Sequence, residues 1–291
     1  MSIAATQRTL AGSVALVTGG GRGVGRVLAL AAADAGATVG LIARSPDQLA
    51  ESVRLIEAAG GGAAAACADL SDPEAAATAV QALRGELGPV DLLVNNAGVN
   101  GPVGPAWEVP EDDWWRTVEV NLRGVTLCSR LVLPEMVARR RGRIVNLTSQ
   151  AGVFRWPLAS AYSVSKAAVI KFTENLGHEI RRHGISVFSV HPGILPIGLS
   201  EPALASTAPA DSPQGRLRDW VRQELAAGRG ARPHQVAELL IRIATGELDR
   251  LSGRHLSVHD DLDTMLAHTE DILRDDLNVL RLRNLSRGNW T

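Results

Sequence analysis

Seven short runs of Val, Ile, Leu and Ala recur along this chain, and most are followed by a longer stretch patterned for helix. Val14–Thr18, Thr38–Ala43, Ala63–Ala68, Val90–Asn95, Arg143–Thr148, Ser186–His191 and Arg254–Val258 read as strands. Gly25–Ala35, Pro46–Ala59, Asp72–Gly85, Glu111–Arg139, Ser160–His183 and Pro233–Thr245 read as helices. Strands that are apolar almost throughout, rather than at every second position, suit a parallel sheet covered on both faces. The alternation therefore predicts an α/β fold, a doubly wound parallel sheet with helices on both faces. Ligands of such sheets lie at the carboxyl ends of the strands.

The 291 residues allow about two domains at roughly 150 residues each. No linker or internal repeat divides them, so one domain over 1–291 is the expectation, with its core at about 12–258. Thirty basic and 31 acidic residues leave a formal charge of −1. That balance does not suggest nucleic acid or an anionic membrane as partner. Cys67 and Cys128 stand far apart and read as small hydrophobes in a reducing compartment. The first residues show no charged segment followed by an apolar one, and the long uncharged stretches are broken by Gly, Pro and Asn. A cytoplasmic protein without a membrane span is expected. The seven histidines are scattered without metal-ligand spacing, so no metal site is expected.

Directly after the first strand comes Thr18-Gly19-Gly20-Gly21-Arg22-Gly23-Val24-Gly25. Glycines there permit a tight turn and let the backbone approach a diphosphate, which then lies against a helix N-terminus. The second strand ends in Ala43-Arg44-Ser45. An acidic residue at that place would bond the ribose hydroxyls of NAD, whereas arginines accommodate the 2′-phosphate of NADP. With Ala43 there, Arg44 beside it and Arg22 in the turn, two guanidiniums are available to grip a phosphate. NADP(H) is favoured, with NAD(H) as the alternative.

Ser149 follows the strand Arg143–Thr148, and Tyr162 and Lys166 stand four apart on a helix, where they share a face. Tyr162 is the only tyrosine and Lys166 one of only two lysines. A cation beside a phenol is expected to lower its pKa from about 10 towards working pH, which suits a general acid or base.

Taken in order, these motifs resemble those of the short-chain dehydrogenase/reductase family over about Gly12 to Val258. The glycine turn matches TGxxxGxG, Asn95-Asn96-Ala97-Gly98 matches NNAG, and Ser149 with Tyr162-x-x-x-Lys166 matches the family's active site. Asn121 falls where the family has a fourth catalytic residue, Asp69-Leu70 where it contacts adenine, and His191-Pro192-Gly193 where a PG turn underlies the nicotinamide. The resemblance implies a Rossmann-like fold and hydride transfer between a nicotinamide cofactor and a ketone or secondary alcohol. Tyr162 would be the acid/base, Lys166 its partner and a ribose ligand, Ser149 the substrate-oxygen anchor, and Asn121 the holder of a relay water. Cofactor contacts would come from Gly19, Gly21, Arg22, Gly23, Val24, Gly25, Arg44, Ser45, Asp69, Leu70, Asn95, Ala97, Gly98, Tyr162, Lys166, Pro192, Gly193 and Leu195.

The chain departs from the family at two places. Ile197 stands where many members carry a Thr that bonds the carboxamide, and His259-Asp260-Asp261 replaces a D-G-G ending. Leu195–Gln214 reads as a mobile loop and Arg216–Ala227 as a short helix, together a substrate lid over 195–227. The tail, 259–291, puts Leu262, Leu266, Leu273, Leu277 and Leu280 on one face of a single helix, for core packing or subunit contact. Phe154 and Trp156 are expected to line the pocket, favouring a hydrophobic small-molecule ketone or alcohol. A homodimer or homotetramer is expected. The alternatives are a redox-neutral epimerisation, isomerisation or elimination on the same fold, or a nucleotide-binding regulator without turnover.

Overall fold

The computed structural model describes residues 9–282. Seven parallel strands form one sheet: β1 Val14–Thr18, β2 Thr38–Ala43, β3 Ala63–Cys67, β4 Leu92–Asn95, β5 Gly142–Leu147, β6 Ile185–His191 and β7 His255–Ser257. Their order is β3-β2-β1-β4-β5-β6-β7. The winding direction reverses between β1 and β4, and the crevice beyond their carboxyl ends is where such a sheet receives a ligand. The alanine-rich segment Ala63–Cys67 does form a strand, held by pairing with Val39–Ala43 despite alanine's weak strand propensity.

Burial on both faces explains the unbroken apolar runs. Ala15 and Val17 of β1 join the core under α1 (Gly23–Asp34), α2 (Pro46–Ala58) and a later C-terminal helix, whereas Leu16 faces the opposite layer. That opposite layer holds α3 (Pro73–Leu87) and the central helices of the chain. Phe188 and Val190 of β6 point to the first layer, and Ile185 and Val187 to the second. Truncating a fully buried side chain such as Phe188 to Ala costs about 3–5 kcal/mol.

The stretch expected as one helix over Glu111–Arg139 is interrupted. It runs as α4 (Glu111–Val118), a π-helical segment Glu119–Arg123, and α5 (Gly124–Arg139). The inserted π-turn surrounds Asn121, whose amide reaches across to the Val99 backbone and Ser165. Such bulges are frequent at functional sites. Next comes α6 (Ser160–Ile180), unbroken over the length expected of its first 21 residues.

The segment expected as a lid holds more helix than its composition suggests. A single 3-10 turn, Gly198–Ser200, leads into α7 (Glu201–Leu204), and α8 (Pro213–Ala226) starts three residues before the expected Arg216. Pro213 fits the first helical turn, and Ser212 caps it by accepting from the Gly215 N–H at 3.1 Å. The helix α9 (Pro233–Ala244) then covers the first face of the sheet.

The tail is not one helix. Its described part forms α10 (Leu262–Ala267) and α11 (Thr269–Arg274), broken at His268, and the shared leucine face fails because Leu277 lies beyond the second helix and is exposed. Ile272 is buried in the core, with Leu262, Met265 and Leu266 packed against it. Beyond α11 the chain returns to the edge strand: the His255 N–H donates to the Asn278 carbonyl at 2.8 Å, and Arg254 pairs with Asp276 at 2.7 Å. An edge strand left open invites pairing with another chain; here the tail occupies that edge. Residues 283–291 of the expected tail lie outside those described. No described helix is long and apolar enough to cross a membrane.

Candidate active site

A cavity of about 720 Å³ runs across the carboxyl ends of the strands, from Arg44 and Asp69 at one end to α8 at the other. It is within the size range of small-molecule and cofactor sites. Ser149, Tyr162 and Lys166 line it together. Ser149 leaves the end of β5 and opens a 3-10 turn, Gln150–Gly152, its hydroxyl accepting from the Ala151 N–H at 3.2 Å. That turn lies directly on α6. A Cβ at Gly152 would come within 2.7 Å of the backbone of Lys166 and Ala167, so glycine there brings Ser149 up to the helix that carries Tyr162.

Lys166 is almost fully buried, 5.7 Å from the Tyr162 ring centroid, and its ammonium donates to the Leu147 carbonyl at 2.8 Å. Loss of hydration pushes Lys166 down to about 8. The expected lowering of Tyr162 by its lysine is not what dominates. Burial around the phenol pushes its pKa up, and the facing Ser149 hydroxyl pulls it down. Lys166 is the cation for this site only while it stays protonated, below about pH 8.

The glycine turn is built for close backbone approach. A Cβ on Gly25 would meet the Gly19 carbonyl oxygen at 2.2 Å and the Asn96 amide nitrogen at 2.5 Å. Asn96 donates to the Thr18 and Gly19 carbonyls at 2.9 and 3.3 Å, tying β4 to the turn after β1. A crevice with this turn at one strand end, Asp69-Leu70 and Ala97-Gly98 on its walls, and a helix N-terminus behind it suits a dinucleotide.

The family model for short chain dehydrogenases matches residues 13–204. The chain belongs to the short-chain dehydrogenase/reductase family. A short chain dehydrogenase of Pseudocercospora fijiensis is 36% identical over 91% of this chain and 85% of its own length. An NAD(+)-dependent 2-dehydro-3-deoxy-L-rhamnonate dehydrogenase of a Sphingomonas species is 35% identical over 81% of this chain and 90% of that protein. The crystal structure of an actinorhodin polyketide ketoreductase variant with NADPH superposes with a TM-score of 0.76 at 31% identity, over 84% of this chain and 95% of that one. The chain is thus an oxidoreductase of that family, related to dehydrogenases and to a ketoreductase.

Within this short-chain dehydrogenase/reductase, three of the expected site residues do not line the cavity: Gly23, Asn95 and Asn121. Gly23 instead packs against Gly198, where a Cβ would fall 2.6 Å from its Cα. Asn95 points into the sheet and donates to Asn146 at 2.8 Å and Ser129 at 3.2 Å; its neighbour Asn96 faces the cavity. Asn121 accepts from the Val99 N–H at 2.8 Å and donates to the Val99 carbonyl at 2.9 Å and to Ser165 at 3.0 Å. Its side chain holds the loop after β4 and the helix α6 together.

Gly19, Gly21, Arg22, Val24, Gly25, Arg44, Ser45, Asp69, Leu70, Ala97, Gly98, Pro192, Gly193 and Leu195 do line the cavity, as do Phe154 and Trp156. The two arginines differ. Arg44 is more than half exposed, with Asp69 its nearest counter-ion at 3.8 Å. Arg22 is held by Glu201 of α7 at 2.6 Å and by the Gly198 carbonyl at 3.4 Å, a pairing that its place in the glycine turn gave no reason to expect. Asp69 is held below the usual carboxylate range, chiefly by the Ser71 N–H, with Arg44 and Arg116 adding to it. Ile197 lines the cavity in place of a threonine.

From the segment expected as a lid over 195–227, Leu217, Trp220, Val221 and Glu224 of α8 line the cavity; sequence reasoning missed Arg229 beyond it and His259 after β7. Leu217, Val221 and Glu224 sit three to four apart on one helix, so the amphipathic spacing of α8 was the available signal. Nothing local marked His259, which the fold alone brings to Gly193.

Proposed function

We propose that this protein is an NADP(H)-dependent reductase of a hydrophobic ketone, running in reverse on the corresponding secondary alcohol. The observation that carries the reading is one cavity lined at once by the Ser149–Tyr162–Lys166 cluster, by a loosely paired Arg44 and by the aromatic side chains of Trp156 and Trp220. A bound nicotinamide dinucleotide would supply the hydride. Gly19, Gly21 and the start of α1 would hold its diphosphate, Arg44 and Arg22 the 2′-phosphate, and Lys166 the ribose.

Ser149 would donate to the substrate oxygen, positioning the carbonyl and stabilising charge that develops on it. Tyr162 would release its phenolic proton to that oxygen, and the Lys166 ammonium would stabilise the phenolate left behind. Burial that keeps Tyr162 protonated suits an acid at neutral pH. Trp156, Trp220 and Leu217 would enclose the apolar body of the substrate, and Phe154, two-thirds exposed, would stand at the mouth. Partly exposed Trp115 on α4 and Val164 on α6 suit assembly of two or four copies.

The test is oxidation of NADPH and NADH, followed by absorbance, against aliphatic, cyclic and aromatic ketones. NADPH-selective turnover with the bulkier ketones is expected. Conversion of substrate without net loss of NADPH would favour a redox-neutral reaction instead.

A further inference from the structure

Two arginines stand at the cofactor end of the cavity, and their counter-ions differ in kind. Asp69, the partner of Arg44, is 3.8 Å away and also serves Arg116 at 3.9 Å, so neither pair is a hydrogen bond. Glu201, the partner of Arg22, is at hydrogen-bond distance, 2.6 Å, and sits on the lid. A second bond from Arg22 to the Gly198 carbonyl and the backbone contact of Gly23 with Gly198 bring this part of the lid against the glycine turn.

The geometry points to Glu201 as a residue that sets cofactor selectivity. It rests on the reading that Arg22 and Arg44 face the 2′-phosphate of NADP(H). For Arg22 to turn to that phosphate it must leave Glu201, and the carboxylate left behind adds a negative charge close to a dianion. With NAD(H) neither cost arises, because the pair stays intact. Glu201 therefore lowers NADP(H) affinity relative to NAD(H), while Arg44 raises it. Both side chains of the pair are about half exposed, so the effect is that of a surface pair: a few-fold in binding.

The test is direct titration of the full chain with NADPH and with NADH, for the wild type, Glu201→Gln, Arg22→Ala and the double variant. Glu201→Gln is expected to tighten NADPH by about three-fold or more and to leave NADH within two-fold. In the Arg22→Ala background the same substitution is expected to have less than half that effect on NADPH. No change for either cofactor, or an equal change for both, would overturn the proposal. An undiminished effect without Arg22 would overturn the competition for that guanidinium. The underlying reading fails separately: Arg44→Ala would then leave the ratio of NADPH to NADH affinity where it was.

Discussion

Trp156 and Trp220 meet edge to face with ring centroids 4.3 Å apart. One comes from the segment between Ser149 and Tyr162 and the other from α8, so an aromatic contact joins that segment to the helix. Both line the cavity, and the polarised rings favour this T-shaped arrangement. Trp220→Ala is expected to raise KM for bulky aromatic ketones by about ten-fold while kcat changes less than about three-fold. Trp220→Phe should recover most of the loss. Initial-rate kinetics separate the two parameters, and a fall in kcat at constant KM would remove Trp220 from the binding wall.

Replacing Tyr162 by Phe removes the proposed proton donor and little else. The expected loss in kcat is on the order of 10³-fold, with NADPH affinity changed only a few-fold, because the phenol acts on the substrate oxygen. Stopped-flow turnover and equilibrium titration measure the two effects independently. A variant that turned over at near the wild-type rate would take the acid/base role away from this residue.

Arg44 should discriminate between cofactors. Its guanidinium is exposed and only loosely paired, so it is available for charge-assisted bonds to a phosphate. Arg44→Ala is expected to weaken NADPH by about ten-fold or more and NADH by less than about two-fold. Equal weakening of both would assign Arg44 to the adenine or ribose instead.

Acid should destabilise the fold from the histidines outward. Burial, reinforced by His255 and His259, holds His191 down to about 3, and burial holds His255 down to about 4. Between these values and the ordinary 6.5, the unfolded chain binds protons that the folded one refuses. Stability is therefore highest above pH 6.5 and falls as pH drops below it, by about 1.4 kcal/mol per pH unit for each histidine. Urea unfolding at pH 7 and pH 5 should show the loss, and His191→Asn should reduce it. An unchanged midpoint across that interval would mean that the histidines accept protons in the folded state.

The sheet was legible in the sequence because its central strands are buried on both faces and so are mostly apolar. Val14–Thr18 and Thr38–Ala43 were placed to the residue on that ground. The Tyr162–Lys166 pair was legible for a different reason: the two residues are one helical turn apart, so their proximity is local. The π-turn at Asn121 was not legible; the bonds its side chain makes go to Val99 and Ser165, distant in the chain. Nor was the division of labour between Asn95 and Asn96: Asn95 ends β4 with its side chain bonded to Asn146 and Ser129, and Asn96, just past the strand, bonds the turn after β1.

The chain's order of residues by itself determined the parallel sheet, the glycine turn after its first strand, and the serine, tyrosine and lysine of the site. These rest on periodicities and spacings of a few residues, which survive whatever the rest of the molecule does. Only the tertiary structure decided that Arg22 belongs to Glu201, that Trp220 meets Trp156, that His259 reaches Gly193, and that the tail lies on β7. Each of these joins segments some 60 to 180 residues apart, or about 20 for the tail, and depends on where helices and turns come to rest once the core has packed. Local pattern carries no record of that.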